Sequence, residues 1–366
     1  MRIGLVCPYS LSLPGGVQGQ VLGLARALRM LGHEARVLGP CDGPPPEAGV
    51  TPLGNTVAAL FNGSVAPLAP DFPCVLRTIR AVRDERFDVL HLHEPMAPGP
   101  TLTSLVWSSG PLVGTFHAAG ATVAYRRLLP LGTRLSRRLH LHCAVSEDAR
   151  DMAATLGGEF EVVYNGIDLE RFAKATPWPT TVPTIVFLSR HETRKGLGVL
   201  LGALAHLPRQ VRIWVASDGP ETRRLQAEVA GDPRVEWLGR LSEEEKAQRL
   251  RGADVLCAPS LRGESFGMVL LEGMAAQTPI VASDLPGYRN VARHGREALL
   301  VAPGDARALG RALTRVLAEP STAASLVAGG EARAASFSMD HLAERYLELY
   351  DVAIARAARA GGLTRI

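Results

Sequence analysis

The sequence predicts an α/β protein built as two doubly wound, parallel-sheet domains, and three observations carry that prediction. Short apolar runs alternate with longer amphipathic segments along the chain, the βα rhythm of parallel sheets. The rhythm breaks at RFAKATPWPTTVP (171–183), which holds three prolines, and then restarts. At 366 residues the chain is long enough for two sizeable cores.

In the first half, the strand candidates are RIGLVC (2–7), EARVLG (34–39), FDVLHLH (87–93), LVGTFH (112–117) and LHCAV (141–145). VQGQVLGLARALRMLG (17–32) reads as a helix ending at a glycine, and SEDARDMAATLG (146–157) as a helix with Ser146 as N-cap. The proline-bearing 171–183 stretch reads as a linker or hinge. Beyond it follow TIVFLSR (184–190), VRIWVAS (211–217), VEWLGR (235–240), DVLCAPS (254–260) and PIVAS (279–283). A long amphipathic helix, capped by Ser338, covers 338–361. The expected domains are 1–170 and 171–344, with a terminal helix of about 345–366 packing back on the first. Ligands of such sheets bind beyond the carboxyl ends of the strands, here in a cleft that the two domains would face.

Composition narrows the function. Apolar content is 46% and the formal net charge is +4, too small to argue for nucleic acid. The five cysteines form no C-x-x-C pair, which argues for a reducing, cytoplasmic setting without structural zinc. The apolar stretch before Pro8 is too short for a signal peptide. No uncharged apolar run reaches the roughly 18 to 20 residues that span a bilayer, so any membrane contact is expected from the surface. Of 40 lysines and arginines only Lys174, Lys195 and Lys246 are lysines. Each is a position where a compact ammonium can matter more than a guanidinium fork.

Three stretches suit a phosphate. PYSLSLPGGVQ (8–18) joins a strand to a helix through Gly15 and Gly16, and a helix N-terminus favours an anion. It is not a G-x-G-x-x-G fingerprint, and a tight turn without ligand is the plainer reading. FLSRHETRKG (187–196) gathers Arg190, Arg194 and Lys195 at a strand end. These cations repel unless an anion joins them, though Glu192 can neutralise part of the charge. ESFGMVLLE (264–272) then offers a helix start near Phe266, Gly267, Met268 and Val269, with Glu264 just ahead of it and Glu272 two turns on. Carboxylates accept from vicinal sugar hydroxyls; dipole compensation by Glu264 and mere exposure of Glu272 are the plain alternative. His91, His93 and Glu94 in HLHEP suggest a metal, but neighbouring strand residues face opposite sides and the three cannot converge. A structural role for the histidines is preferred. Arg77, Arg80, Arg83 and Arg86, and the basic run RRLLPLGTRLSRRLH (126–140), suit anionic lipid headgroups or a solvated face.

The E-x7-E spacing of ESFGMVLLE resembles that of retaining glycosyltransferases of family 4 (glycosyl transferases group 1), which have the GT-B fold of two Rossmann-like domains. FNGSVA (61–66), GTFH (114–117), NGID (165–168), RKG (194–196), ADVLCAPS (253–260), GESFGMVLLEGMAA (263–276) and VASDLPGYR (281–289) extend the resemblance over nearly the whole chain. Within that family it resembles the actinobacterial phosphatidylinositol α-mannosyltransferase branch, which uses GDP-mannose. The resemblance implies that Gly16, Arg190 and Lys195 meet the donor diphosphate and that His117 contacts the transferred sugar. Glu264 would bind sugar hydroxyls, the Phe266–Val269 backbone would cap phosphate and sugar, and Glu272 would take the ribose. In LSEEEKAQ (241–248), Glu243 would accept from guanine N–H groups and Lys246 would donate to its carbonyl. Tyr9, Gln18 and Asn62 fall on the acceptor side.

AAGATVAY after GTFH, and PLAPDFP after FNGSVA, depart from that branch. A UDP-sugar donor, another lipid or glycan acceptor, and a non-catalytic sugar-nucleotide binder are the competing expectations. The sequence holds no D-x-D triplet, so no metal or other cofactor is expected, and the enzyme is expected at the inner face of the cell membrane.

Overall fold

Runs whose residues are nearly all apolar can be buried on both faces, and they form the centre of each sheet. In the computed structural model, which describes residues 1–13, 15–61, 64–117 and 129–363, the chain divides into two units. One comprises Met1–Gly166 with Met339–Ile366, the other Ile167–Ser338.

The first unit holds β1 (Arg2–Val6), β2 (Glu34–Gly39), β3 (Val50–Pro52), β4 (Val57–Phe61), β5 (Ser64–Leu68), β6 (Val89–His93), β7 (Leu112–Phe116), β8 (Leu141–Ala144) and β9 (Phe160–Val162). Seven of these form a sheet in the order β3-β2-β1-β6-β7-β8-β9, parallel throughout. β6 and β7 are buried along their whole lengths. β4 and β5 make a separate antiparallel hairpin, and with the three-residue β3 and β9 they are elements that periodicity does not reveal. The helix expected at 17–32 spans Gly16–Met30 and that at 146–157 spans Glu147–Ala153, with the Ser146 side chain accepting from Ala149 N–H.

In the second unit β10 (Thr184–Leu188), β11 (Arg212–Ala216), β12 (Val235–Gly239), β13 (Val255–Ala258), β14 (Ile280–Ser283) and β15 (Leu299–Val301) form a parallel sheet ordered β12-β11-β10-β13-β14-β15. Strand order reverses direction between β1 and β6 in the first unit and between β10 and β13 in the second. These are the switch points where doubly wound sheets open a crevice beyond their strand ends.

Two expectations change. The 171–183 stretch, expected as a linker, belongs wholly to the second unit. Trp178 N–H donates to Gln248 O at 2.9 Å, and the Arg249 guanidinium lies 3.8 Å from the Trp178 ring centroid and 4.5 Å from that of Trp214. A cation held between two indoles fixes the proline-rich chain in place. The chain passes between units at Gly166–Ile167 and Ser338–Met339. The last helix, Met339–Leu363, places Met339, Leu342, Ala343, Tyr346, Leu349, Tyr350 and Ala353 in the core cluster that contains Val21, Leu24 and Leu28 of the Gly16–Met30 helix. All five cysteines are buried free thiols. Among the described residues, no helix is long and apolar enough to cross a membrane.

Candidate active site

In each unit several candidate residues follow the carboxyl ends of strands: His117 after β7, Arg190 after β10 and Glu264 after β13. In the second unit β10 leads to Arg190 and then to a short turn, Thr193–Lys195. Gly196 follows with φ 72°, and a Cβ there would lie 1.9 Å from Pro259 O. Only glycine lets the β10 and β13 loops touch at this point. Leu261 N–H donates to Arg194 O across the junction at 2.7 Å.

That contact brings Lys195 to Glu264. Lys195 Nζ donates to Glu264 Oε1 at 2.6 Å, and Ser260 Oγ donates to the same oxygen at 2.7 Å. Tyr288 OH is 3.0 Å from Ser260 Oγ. Burial, and then the Glu264 charge, push the Tyr288 phenol well above its ordinary range, so it stays a neutral hydroxyl. Ser260 and Tyr288 therefore orient the carboxylate. The sequence gives neither a role, although both lie in family-like stretches, Ser260 in ADVLCAPS and Tyr288 in VASDLPGYR.

Glu264 precedes the helix Met268–Ala275, whose N-cap is Gly267 at φ 98°. The helix thus starts after Phe266 rather than around it. The Phe266 side chain is buried, its ring 5.7 Å from that of Phe337, which leaves only its backbone for a ligand. Gly267 is required by its left-handed φ and by Tyr288, whose Cδ1 would sit 2.9 Å from an added Cβ. Close approach of a ligand is not needed to explain this glycine. Leu270 N–H makes a bond to Gly267 O at 2.9 Å, and the N–H groups of the first turn lie ahead of that ladder.

Two turns on, Glu272 Oε1 accepts from Lys246 Nζ at 2.8 Å, and Lys246 is 3.0 Å from Glu243 Oε2. Glu243 also pairs with Arg171 at 2.9 Å. Burial opposes the Lys246 charge, but Glu272 and Glu243 outweigh it and raise the ammonium above its ordinary pKa. Arg190 and Arg194 share Glu192, at 3.0 and 2.7 Å. The cation cluster thus has its own carboxylates, and a bound anion is not needed to hold it together.

In the first unit Gly16 opens its helix with nothing within 4 Å of where a Cβ would stand. Gln18 is buried and its Nε2 donates to Ser10 O at 3.3 Å. Tyr9 pairs with Leu68 of β5 through an isolated bridge; burial, and then the Glu94 charge, raise its phenol pKa. Asn62 and residues 118–128, including the AAGATVAY stretch and Arg126 and Arg127, lie outside the described residues.

His117 follows β7. Its backbone N–H donates to Glu94 Oε1 at 2.7 Å, and its Nε2 lies 2.9 Å from His93 Nδ1. His91 and His93, two apart on β6, share a face and stack with ring centroids 4.2 Å apart. Glu94 sits at φ 53°. His91 bonds Tyr350 OH at 2.9 Å and Thr115 Oγ1 at 2.7 Å. Burial lowers the His91 and His117 pKa values to about 3 and that of His93 well below its ordinary value. All three imidazoles are neutral at pH 7. Among the described residues, no group of three or more His, Cys, Asp or Glu could hold a metal ion.

The basic surface is also partly committed to structure. Arg77 donates to Leu53 O at 3.3 Å, and Arg138 to Leu105 O and Ser108 O at 2.7 and 2.8 Å.

The profile described as Glycosyltransferase Family 4 matches residues 14–171, and that of Glycosyl transferases group 1 matches residues 182–319. A phosphatidyl-myo-inositol mannosyltransferase of Mycobacterium leprae is 37% identical over 367 residues, covering 96% of each chain. Among solved structures, sucrose-phosphate synthase from Thermosynechococcus elongatus aligns with a TM-score of 0.77 at 21% identity, over 97% of this chain and 99% of its own. Anabaena HepE in complex with UDP-glucose aligns at 0.75 and 20%, over 96% and 99%. Those two likenesses show the fold, and the sequence matches show the lineage: the chain belongs to the glycosyltransferases of family 4, with two Rossmann-like units of the GT-B fold.

Proposed function

We propose that this glycosyltransferase moves mannose, with retention of configuration, from GDP-mannose to phosphatidylinositol. The observation that carries the reading is the pairing of Lys195 with Glu264 and of Lys246 with Glu272. Two of the chain's three lysines thereby stand at the two ends of one helix. Relatives named phosphatidyl-myo-inositol mannosyltransferase, at 37% identity over nearly the full chain, support the acceptor and the transferred sugar.

The roles follow from chemistry. A diphosphate over the first turn of Met268–Ala275, near the backbone of Phe266, Gly267, Met268 and Val269, meets outward N–H groups, with Arg190 and Lys195 beside it. Glu264, oriented by Ser260, accepts from hydroxyls of the departing sugar, and Glu272 accepts from the ribose. Lys246 uses two of its three N–H donors on carboxylates, leaving one for the guanine carbonyl; Glu243 accepts from guanine N–H groups. Gly16 is assigned to the donor diphosphate and His117 to the transferred sugar. Tyr9, Gln18 and Asn62 take the acceptor.

In the reaction the bond from the anomeric carbon to phosphate breaks, and a bond to the acceptor oxygen forms on the same face. The acceptor hydroxyl proton passes to the leaving phosphate. Developing charge on that phosphate is what the enzyme must stabilise, and Arg190, Lys195 and the helix terminus supply fixed positive charge for it. No metal is needed in this scheme. The experiment is mannose transfer from GDP-mannose into phosphatidylinositol vesicles. Lys195→Ala and Glu264→Ala should each lower kcat by about 100-fold or more, and chelator should leave the rate unchanged. Transfer from a UDP-sugar in preference to GDP-mannose would overturn the donor assignment.

We further propose that the first unit rests on an anionic bilayer. On the helix Phe72–Glu85, Phe72 and Leu76 are exposed at 70% and 51%, and Arg80 and Arg83 continue the same stripe. Trp107, 67% exposed, ends the helix packed beside it. Apolar and cationic side chains on one helix face suit a headgroup surface.

A further inference from the structure

We propose that His93 is a positioning residue that fixes His117 as its Nδ1–H tautomer, making His117 a neutral hydrogen-bond donor to an oxygen of the transferred sugar. The inference rests on the preceding assignment of His117 to the transferred sugar, and its own content is the direction of one buried hydrogen bond.

His93 Nδ1 and His117 Nε2 are 2.9 Å apart. Two neutral imidazoles can bond only if one nitrogen carries the proton and the other a lone pair. The two arrangements differ at the far side of His93. His93 Nε2 is buried and has no hydrogen-bond partner among the described residues. If His117 donated, the proton of His93 would sit on Nε2, as a buried N–H bonded to nothing. If His93 donates from Nδ1, Nε2 carries only a lone pair. A buried group of either kind left unpaired carries a desolvation penalty, but among backbone groups orphaned N–H donors are the rarer of the two, and the same order is applied to this imidazole. The second arrangement is therefore favoured.

Nothing on the neighbouring tier opposes that choice. Both nitrogens of His91 are engaged by hydroxyls, Tyr350 OH and Thr115 Oγ1, so His91 reaches His93 by stacking alone. Burial keeps His93 and His117 neutral, which removes the case in which both nitrogens of one ring donate. The His117 main chain is pinned separately by Glu94 Oε1. With Nε2 occupied by His93, Nδ1 is the nitrogen of His117 that remains for a ligand, and it carries the proton. A sugar hydroxyl oxygen is the partner such a donor takes.

The test combines nitrogen NMR with kinetics on the full chain. With 15N-labelled histidine at pH 7, His117 should show a protonated Nδ1 and a bare Nε2, its signals assigned by their loss in His117→Gln. His93→Leu should disturb that tautomer and lower kcat by about 10-fold or more, the range typical of residues that orient an active group, with KM for GDP-mannose changed less than about twofold. His93→Asn, whose side-chain N–H can replace Nδ1–H, should restore kcat to within about threefold of wild type. A His117 protonated on Nε2 overturns the proposal whatever the variants do. So does an unchanged kcat in His93→Leu, or a folded His93→Asn no faster than His93→Leu. If no mannose transfer is found at all, the functional assignment falls, while the nitrogen signals still decide the tautomer.

Discussion

Lys246 and Glu243 face the base in the proposed complex, and there the charge of a single side chain decides selectivity. Glu243→Gln keeps the shape and removes the anionic acceptor. A hydrogen bond to a charged group contributes about 1.5–3 kcal/mol, so GDP affinity should fall about 10- to 100-fold while UDP affinity stays put, as read by calorimetric titration. Equal losses for both nucleotides would sink the guanine assignment. At this scale much was legible: E-x7-E, the rare lysines and RKG name Lys195, Lys246, Glu264 and Glu272. What the sequence left open was the pairing. Lys195 and Glu264 are 69 residues apart, and no local rule joins a cation to a carboxylate at that range. Ser260 and Tyr288 stayed hidden for the same reason, since a hydroxyl acquires its role only from the group it meets.

The loops between elements hold the second kind of information. Gly196 sits in a left-handed turn against Pro259 O, 1.9 Å from where a Cβ would stand. Gly196→Ala must pay for both the φ and the overlap, costing about 2 kcal/mol or more by denaturant unfolding. It should also lower transfer more than stability alone explains, because it moves Lys195 away from Glu264. The helix Phe72–Glu85 gives a second expectation. Phe72→Ser with Leu76→Ser should weaken co-sedimentation with anionic vesicles by about 10-fold or more, from the loss of buried apolar area, and leave nucleotide binding unchanged. Undiminished sedimentation would exclude this face. Strand positions were readable because runs such as VLHLH and LVGTF are buried on both sides. β3, β9 and β15 were not, since three residues are too few to show a period. β4 and β5 were not either, since each is only five residues long and together they stand apart from the seven-stranded sheet.

Across the whole molecule, neutral buried histidines couple stability to pH. His91 and His117 have folded pKa values of about 3, and burial lowers His93 as well, against about 6.5 in an unfolded chain. The unfolded state therefore binds more protons below that value. Stability from these groups is fully present above about pH 6.5 and is lost as the pH falls towards about 3, by up to about 1.4 kcal/mol per pH unit for each group. Urea midpoints measured from pH 7.5 to 4.5 should fall in acid. Replacing His91 with Phe should flatten the slope, and a slope unchanged by that substitution would show that other groups dominate.

The sequence by itself determined the fold class, because burial on both faces forces continuous apolar strands and amphipathic helices onto the chain in a fixed rhythm. It also named most of the charged candidates, since their types and spacings are local properties. Only the tertiary structure decided which charge meets which, where the chain passes from unit to unit, and why Gly196 and Gly267 are glycines. It alone stacked His91, His93 and His117 in one buried column. Those outcomes depend on contacts between residues far apart in the chain, brought together by sheet order at β1–β6 and β10–β13, and no linear period encodes them.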